Sequence, residues 1–189
     1  MLRIIGDCHG KYEKYMNLVK DVEYSIQLGD FGFRYDCLAE LNPDNHRVLG
    51  GNHDNYEEDA HGCFIRQPVH FLGDFGVYSV AGYDFFFLRG GNSIDKAYRK
   101  EGRDWWSGEQ ISYGVGAKAL EFYQQLKPDY VISHECPVAA IDFVSGDKLW
   151  NGEYIHPSMT ANLLQQMFDI HKPKVHLFGH HHNSSSKQI

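Results

Sequence analysis

The stretch LRIIGDCHG, residues 2 to 10, joins an apolar run to a glycine, an acid, a cysteine, a histidine and a second glycine. Four further stretches repeat this design: IQLGDFG at 26–32, RVLGGNHD at 47–54, YVISHE at 130–135 and VHLFGHHH at 175–182. In an open α/β sheet the loops at the carboxyl ends of the strands converge, and binding sites are built there. We therefore expect the acids, the amide and the histidines of these five stretches to meet in space.

Periodicity and turn residues predict a chain in which strands alternate with helices. The predicted strands are 2–5, 24–28, 47–49, 71–80, 83–89, the run DYVISH at 129–134, and 175–178, with a hairpin turn at AGYD. The predicted helices are 12–20, 110–126 and 159–171. This alternation indicates an α/β fold with sheet faces covered by helices.

Length and composition predict one domain over residues 1–189, since the chain is long enough to bury a core and 42% of its residues are hydrophobic. No apolar run approaches the roughly 20 residues of a membrane span, and the N-terminus does not resemble a signal peptide. We therefore expect a cytoplasmic protein without membrane association, and the four cysteines, which form no CxxC pair, are expected to be reduced. A formal charge of −7 disfavours broad binding of duplex nucleic acid, whereas a nucleotide or a strand end stays possible. The sequence predicts no oligomeric state.

The spacing within the motifs favours metal binding over a simple turn. In extended backbone, residues i and i+2 point to the same side, so Asp7 and His9 can face one ion while Cys8 points away. His180 and His182 repeat this spacing, and His181 is expected on the far side.

The number and type of these side chains predict two ions. Carboxylate, amide and imidazole ligands suit Mn, Fe, Zn, Co or Ni, and we expect Mn²⁺ first. One tetrahedral site would leave several of the candidates unused, whereas two ions with a shared ligand would employ them all. Asp30 is the natural bridge because a carboxylate has an oxygen for each ion. The candidate ligands are Asp7, His9, Asp30, Asn52, His134, His180 and His182.

Five motifs stand along the chain in this order: Gly6-Asp7-Cys8-His9-Gly10, Gly29-Asp30, Gly51-Asn52-His53-Asp54, Ser133-His134 and Gly179-His180-His181-His182. Together they resemble the signature of the calcineurin-like metallophosphoesterases over nearly the whole chain. The resemblance implies a four-layer α/β/β/α sandwich and hydrolysis of a phosphate ester by a hydroxide that bridges two divalent metals. It places Asp7, His9, Asp30 and His182 on one metal and Asp30, Asn52, His134 and His180 on the other. It implies that His53 stabilises or protonates the leaving oxygen and that Asp54 orients His53.

Two departures from the family pattern favour a phosphodiester or nucleotide-type substrate. After Asp30 the chain reads FGFRYD, and Asp54 stands where the phosphoprotein phosphatases of the family usually carry Glu. The alternative is a phosphomonoesterase or protein phosphatase, and both departures weaken the protein-phosphatase interpretation. A non-catalytic scaffold on the same fold is the third alternative. Only NSSSKQI follows the last motif, so the final strands of the family fold are expected to be absent or the chain to be truncated.

The stretch LRGGNSIDKAYRKEGRDWWSGEQIS, residues 88–112, is rich in Arg, Lys and Trp and resembles a segment of a bacterial and phage branch of the family. Arginines bind phosphate through forked hydrogen bonds, and we predict that Arg89 or Arg103 lies within reach of the substrate phosphate, with Arg99 a further candidate. Trp105 or Trp106 could stack on a base, or both could close a hydrophobic lid.

Overall fold

A computed structural model describes residues 1–60, 63–145, 149–150, 153–154, 156–183 and 186. The strands are β1 (Leu2–Ile5), β2 (Tyr24–Gln27), β3 (His46–Val48), β4 (Phe75–Val80), β5 (Tyr83–Leu88), β6 (Tyr130–Ser133), β7 (Leu149–Trp150), β8 (Glu153–Tyr154) and β9 (Val175–Phe178). The α-helices are α1 (Tyr12–Val19), α2 (Tyr113–Leu126), α3 (Val138–Ser145) and α4 (Met159–Ile170). No helix in these ranges combines the length and apolarity that a membrane span requires.

The strands form two main sheets. The first has the order β1-β2-β3 and is parallel throughout. The second has the order β4-β5-β6-β9, with β4 and β5 antiparallel and the other pairs parallel. The short strands β7 and β8 pair separately. In both sheets the parallel strands end at an edge where polar loops follow, as expected from the sequence.

Three apolar clusters separate four layers. Ile26 and Leu49 of the first sheet pack with Phe85, Phe87 and Ile132 of the second in the cluster between the sheets. Helices α2 and α4 cover the outer face of the second sheet. Helix α1 packs against the outer face of the first sheet and against the loops that follow its strands. The fold is therefore an α/β/β/α sandwich, and the predicted fold class is confirmed.

Local chemistry explains the element boundaries. Helix α2 begins at Tyr113, three residues later than predicted, because the Ser112 side chain caps it by accepting a hydrogen bond from the Val115 amide. The β4–β5 hairpin turns through Ala81 (φ 52°) and Gly82 (φ 81°), which is the left-handed pair that a tight hairpin needs. Helix α3 was not predicted, because its short apolar run VAAIDFVS carries no clear helical period. The expectation of absent C-terminal strands falls on 183–189, of which residues 184, 185 and 187–189 lie outside the described residues.

Candidate metal centre

The loops that follow five strands bring the predicted ligands together. The first sheet contributes the loops after β1, β2 and β3, and the second sheet those after β6 and β9. Two groups result, Asp7 with His9, Asp30 and His182, and Asp30 with His134 and His180. Within each group the ligand atoms lie within 4.8 Å of one another.

The first group is built around facing imidazoles. His9 Nε2 lies 2.7 Å from His182 Nε2, and His182 Nε2 lies 3.1 Å from Asp7 Oδ2. Asp7 Oδ1 accepts a hydrogen bond from the His180 amide, whereas the buried Oδ2 has no hydrogen-bond partner among the described residues. A buried carboxylate oxygen without a partner costs free energy, and a cation between Oδ2 and the two imidazoles would satisfy it.

The second group is buried and already ordered. His134 Nε2 lies 3.2 Å from Asp30 Oδ1 and 2.9 Å from Asn52 Oδ1. His134 Nδ1 donates to the Leu28 carbonyl at 2.8 Å, which leaves Nε2 directed at the two oxygens. Burial alone would lower the pKa of His134, but the Asp30 and Asp7 carboxylates raise it to about 10. The surroundings of Nε2 therefore favour a positive charge, which a cation would supply.

Asp30 joins the two groups, one oxygen to each. Its Oδ2 lies 3.6 Å from His9 Nε2 and its Oδ1 lies 3.2 Å from His134 Nε2. Burial would raise the pKa of Asp30, but the neighbouring His134 lowers it well below its usual range. The residue thus stays ionised and directs one oxygen towards each group. The donor set, with its carboxylate, amide and imidazole atoms, fits divalent transition metals.

Backbone strain concentrates at these ligands. His9, Asp30, His180 and His182 have φ values of 44°, 57°, 70° and 51°, in the left-handed region that residues other than Gly rarely adopt. The side chains of Asp7 and His9 therefore converge through a turn and not through the extended backbone that the sequence suggested. His180 and His182 fall in different groups. Such strain typically marks functional sites.

A cavity of about 870 Å³ opens above the two groups. Its polar floor includes His9, Asp30, Asn52 and His180. Apolar side chains contribute to its walls, namely Tyr12, Phe33, Ile94, Ile141 and Val144. A volume of this size accommodates a ligand considerably larger than phosphate alone.

Comparison with known proteins identifies the family. The family model for calcineurin-like phosphoesterases matches residues 2–184. The chain belongs to this family. It is also similar to a UPF0046 protein of Caenorhabditis elegans, with 28% identity over 198 residues that cover 94% of this chain and 67% of the relative. Family membership implies a metal-dependent phosphoester hydrolase.

In this calcineurin-like phosphoesterase, Asp54 holds together the loops that follow strands of the first sheet. Its carboxylate is fully buried and accepts hydrogen bonds from the backbone amides of Asp30, Phe31, Gly32 and Gly51. Burial and the Asp30 carboxylate raise the pKa of Asp54 to about 8, and two of those amides oppose the rise. Its hydrogen bonds among the described residues do not include the predicted one to His53. Asp54 instead fixes Asp30 and the loop that bears Asn52.

Ser93 and Glu109 orient Asn52, and neither residue belongs to the five sequence motifs. The Asn52 amide donates to Ser93 Oγ at 3.1 Å, and Ser93 Oγ donates to Glu109 Oε2 at 2.7 Å. The Ser93 amide donates to Glu109 Oε1 at 3.0 Å. These bonds turn the Asn52 oxygen towards His134 and the second group. The only sequence signal was their position in the segment 88–112.

His53 faces the cavity beside an arginine. Its ring centroid lies 5.1 Å from that of His9, and its Nε2 lies 3.4 Å from Arg99 Nη2. Asp95 holds Arg99 by two short bonds, 2.6 Å to Nε and 2.7 Å to Nη2. Burial and the nearby Arg99 lower the pKa of His53, against the opposing effect of Asp30. A neutral imidazole and a fixed guanidinium therefore stand side by side.

The arginines predicted to bind substrate lie elsewhere. Arg89 is 6% exposed, bonds Asp74 Oδ1 at 2.6 Å, and has its guanidinium 4.6 Å from the Tyr56 ring centroid. Arg103 is exposed and pairs with Asp104 at 2.7 Å. Neither is among the described residues that line the cavity, whereas Arg99 is.

The two tryptophans of this segment are also absent from the described cavity lining. Trp106 is 7% exposed and packs against Phe33, with ring centroids 5.2 Å apart. For Trp106 this placement favours the hydrophobic alternative over base stacking.

Proposed function

We propose that this chain hydrolyses a phosphodiester or nucleotide-type phosphate ester with two divalent cations, of which Mn²⁺ is the first candidate. The observation that carries the proposal is the sharing of Asp30, which gives one oxygen to each of two ligand groups. The first cation would be held by Asp7, His9, Asp30 and His182, and the second by Asp30, Asn52, His134 and His180.

Bound cations of this kind bind phosphate oxygens and lower the pKa of water, so that a nucleophile is available near neutral pH. The chain's own residues position the ester and assist the leaving group. His53, beside the first group and open to the cavity, would stabilise the leaving oxygen by donating a hydrogen bond. Arg99, held rigid by Asp95, would neutralise an anionic oxygen next to His53.

The walls of the cavity support a substrate with a sizeable organic group. Phe33 and Ile94 contribute to the lining together with Ile141 and Val144. A phosphate bound at the polar floor would leave this apolar surface to the ester substituent, as a nucleoside or an aromatic alcohol would require. We place the reaction in the cytoplasm, because all four cysteines, two of them buried, are free thiols.

The test is hydrolysis of bis(p-nitrophenyl) phosphate and p-nitrophenyl phosphate after metal removal and addition of Mn²⁺. Asp30→Asn and His53→Ala are the variants, and Arg103→Ala is the matched control for Arg99→Ala, because Arg103 lies on the surface. We expect faster diester turnover, loss of activity in the Asp30 and His53 variants, and a raised KM only for Arg99→Ala. Metal content is measured alongside.

Other outcomes would favour one of the alternatives or overturn the proposal. Faster monoester turnover would identify a phosphomonoesterase. Binding of two Mn²⁺ without turnover of either ester or of a nucleotide panel would support the scaffold alternative. Absence of metal binding would overturn the proposal.

A further inference from the structure

A third cluster of metal-ligating side chains lies beside the second group. It consists of Glu135, Cys136 and His181, whose ligand atoms lie within 4.8 Å of one another. His181 Nε2 lies 3.0 Å from Glu135 Oε1 and 3.2 Å from Cys136 Sγ. The sequence motifs did not indicate this cluster, since Glu135 simply follows the candidate ligand His134 and His181 was expected on the far side of its loop.

Glu135 lies between this cluster and the second group, in the same way that Asp30 lies between the second group and the first. Its Oε2 lies 3.4 Å from His180 Nε2, while its Oε1 faces His181. The Glu135 carboxylate therefore places one oxygen on each side.

The carboxylate is fixed in this orientation by its neighbours. The Cys136 amide donates to Oε1 at 3.0 Å and Ser158 Oγ donates to Oε2 at 3.3 Å. Cys136 is fully buried and Glu135 is 4% exposed. The three ligand atoms are therefore held by the fold and do not depend on mobile surface side chains.

In the metal-free chain, protons can join these three side chains, since His181 Nε2 can donate to Glu135 Oε1 and the Cys136 thiol is itself a weak donor. A cation at the centre would satisfy the imidazole nitrogen, the carboxylate oxygen and the sulfur together. Glu135 and His181 also line the cavity, so a further ligand could approach from that side.

We propose that Glu135, Cys136 and His181 form a third cation position, selective for a thiophilic divalent ion such as Zn²⁺. Thiolate with imidazole and carboxylate is a donor set that zinc prefers, unlike the oxygen and nitrogen sets of the other two groups. The Sγ–metal bond forms as the thiol proton passes to solvent, and no electrons are exchanged. The metal centre would then be a row of three positions joined by Asp30 and Glu135.

The test is titration of the metal-stripped full chain with Co²⁺, because thiolate ligation gives a near-ultraviolet charge-transfer band that oxygen and nitrogen ligands do not give. We expect this band and three bound equivalents in the wild type. Cys136→Ser should lose the band and one equivalent. Cys8→Ser is the matched control, since Cys8 is also a buried free thiol but contacts the Gly6 carbonyl, and it should keep both.

Saturation of the folded wild type at two equivalents without the band would overturn the proposal, and so would a band that persists in Cys136→Ser. If the Cys136 variant does not fold, Glu135→Gln and His181→Asn provide the test through Zn²⁺ content by mass spectrometry. Each substitution should lower the affinity for the third equivalent of Zn²⁺ by at least about tenfold, and an unchanged affinity in both variants would again exclude the site.

Discussion

The two ligand groups that share Asp30 differ in their exposure to solvent. In the first, the side chains of His9 and His182 are 32% and 62% exposed. In the second, those of His134 and His180 are 0% and 16% exposed. Buried ligands with fixed hydrogen-bond partners need little ordering on metal binding, whereas exposed ones gain order from it. We therefore expect a firmly held second cation and an exchangeable first one.

Replacement of His134 by Ala should have the largest effect. The variant loses a ligand of the buried group and opens a cavity behind it, because the imidazole is fully buried and bonded to Leu28. We expect kcat to fall by at least about 10³-fold, with no recovery at high Mn²⁺. Steady-state kinetics and metal analysis check this, and activity within tenfold of the wild type would contradict it.

His182→Ala should weaken the exposed group in a recoverable way. The side chain contributes little to packing, so the fold should persist while affinity for the first cation falls by about 100-fold. Activity should be lost at limiting Mn²⁺ and return towards the wild-type value as Mn²⁺ is raised. A Mn²⁺ titration curve that coincides with that of the wild type would contradict the expected difference in cation affinity between the two groups.

Ser93→Ala tests the hydrogen bonds that order the buried group. Without Ser93 Oγ, the Asn52 amide loses the acceptor that directs its oxygen towards His134. We expect release of the second cation to a chelator to become about tenfold faster while release of the first is unchanged. Ser107→Ala, in the same segment but exposed, is the control. Equal release rates in all three proteins would argue against this role of Ser93.

An effect on stability and not on catalysis concerns pH and the strands that carry the second sheet's ligands. His176 on β9 contacts Ser133 on β6 at 2.7 Å, and burial lowers the pKa of His176 to about 4. Its unfolded value is about 6.5, so its contribution to stability is complete above pH 6.5 and is lost as pH falls towards 4.

Chelator-treated wild type should therefore lose more free energy of unfolding than His176→Gln between pH 7 and pH 4.5. The difference should be on the order of 2 kcal/mol in urea denaturation, since each unit of pKa shift corresponds to about 1.4 kcal/mol. Parallel pH profiles would show that His176 does not titrate in this range.

The ligand positions could be predicted because they follow a local rule. A buried parallel strand ends at the sheet edge, and the polar residue after it has no place in the core, so Asp30 after β2 and His134 after β6 were readable from the sequence. The alternation of strand and helix indicated sheets covered by helices, whereas the four-layer arrangement was implied by the family resemblance. Left-handed backbone at His9 and His182 was not readable, because it is set by the surrounding loops.

The rest of the site depends on how the loops pack. Arg89 and Arg99 look alike in a basic segment, yet Asp74 and two aromatic rings hold the first in the interior while Asp95 directs the second to the cavity. Glu135 lines the cavity together with Ile141 of α3 and His181 of the loop after β9. Such partners are defined by loop packing, which periodicity does not encode.

The left-handed conformation at four ligands also limits how this centre could be redesigned. Positions of this kind accept Asn, Asp and Gly much more readily than β-branched residues such as Val or Thr. An engineer who wishes to change the metal preference can therefore exchange imidazole for carboxylate or amide at His9 and His182 with little backbone cost. Those exchanges add oxygen donors, so the accessible direction of change is towards hard ions such as Mg²⁺.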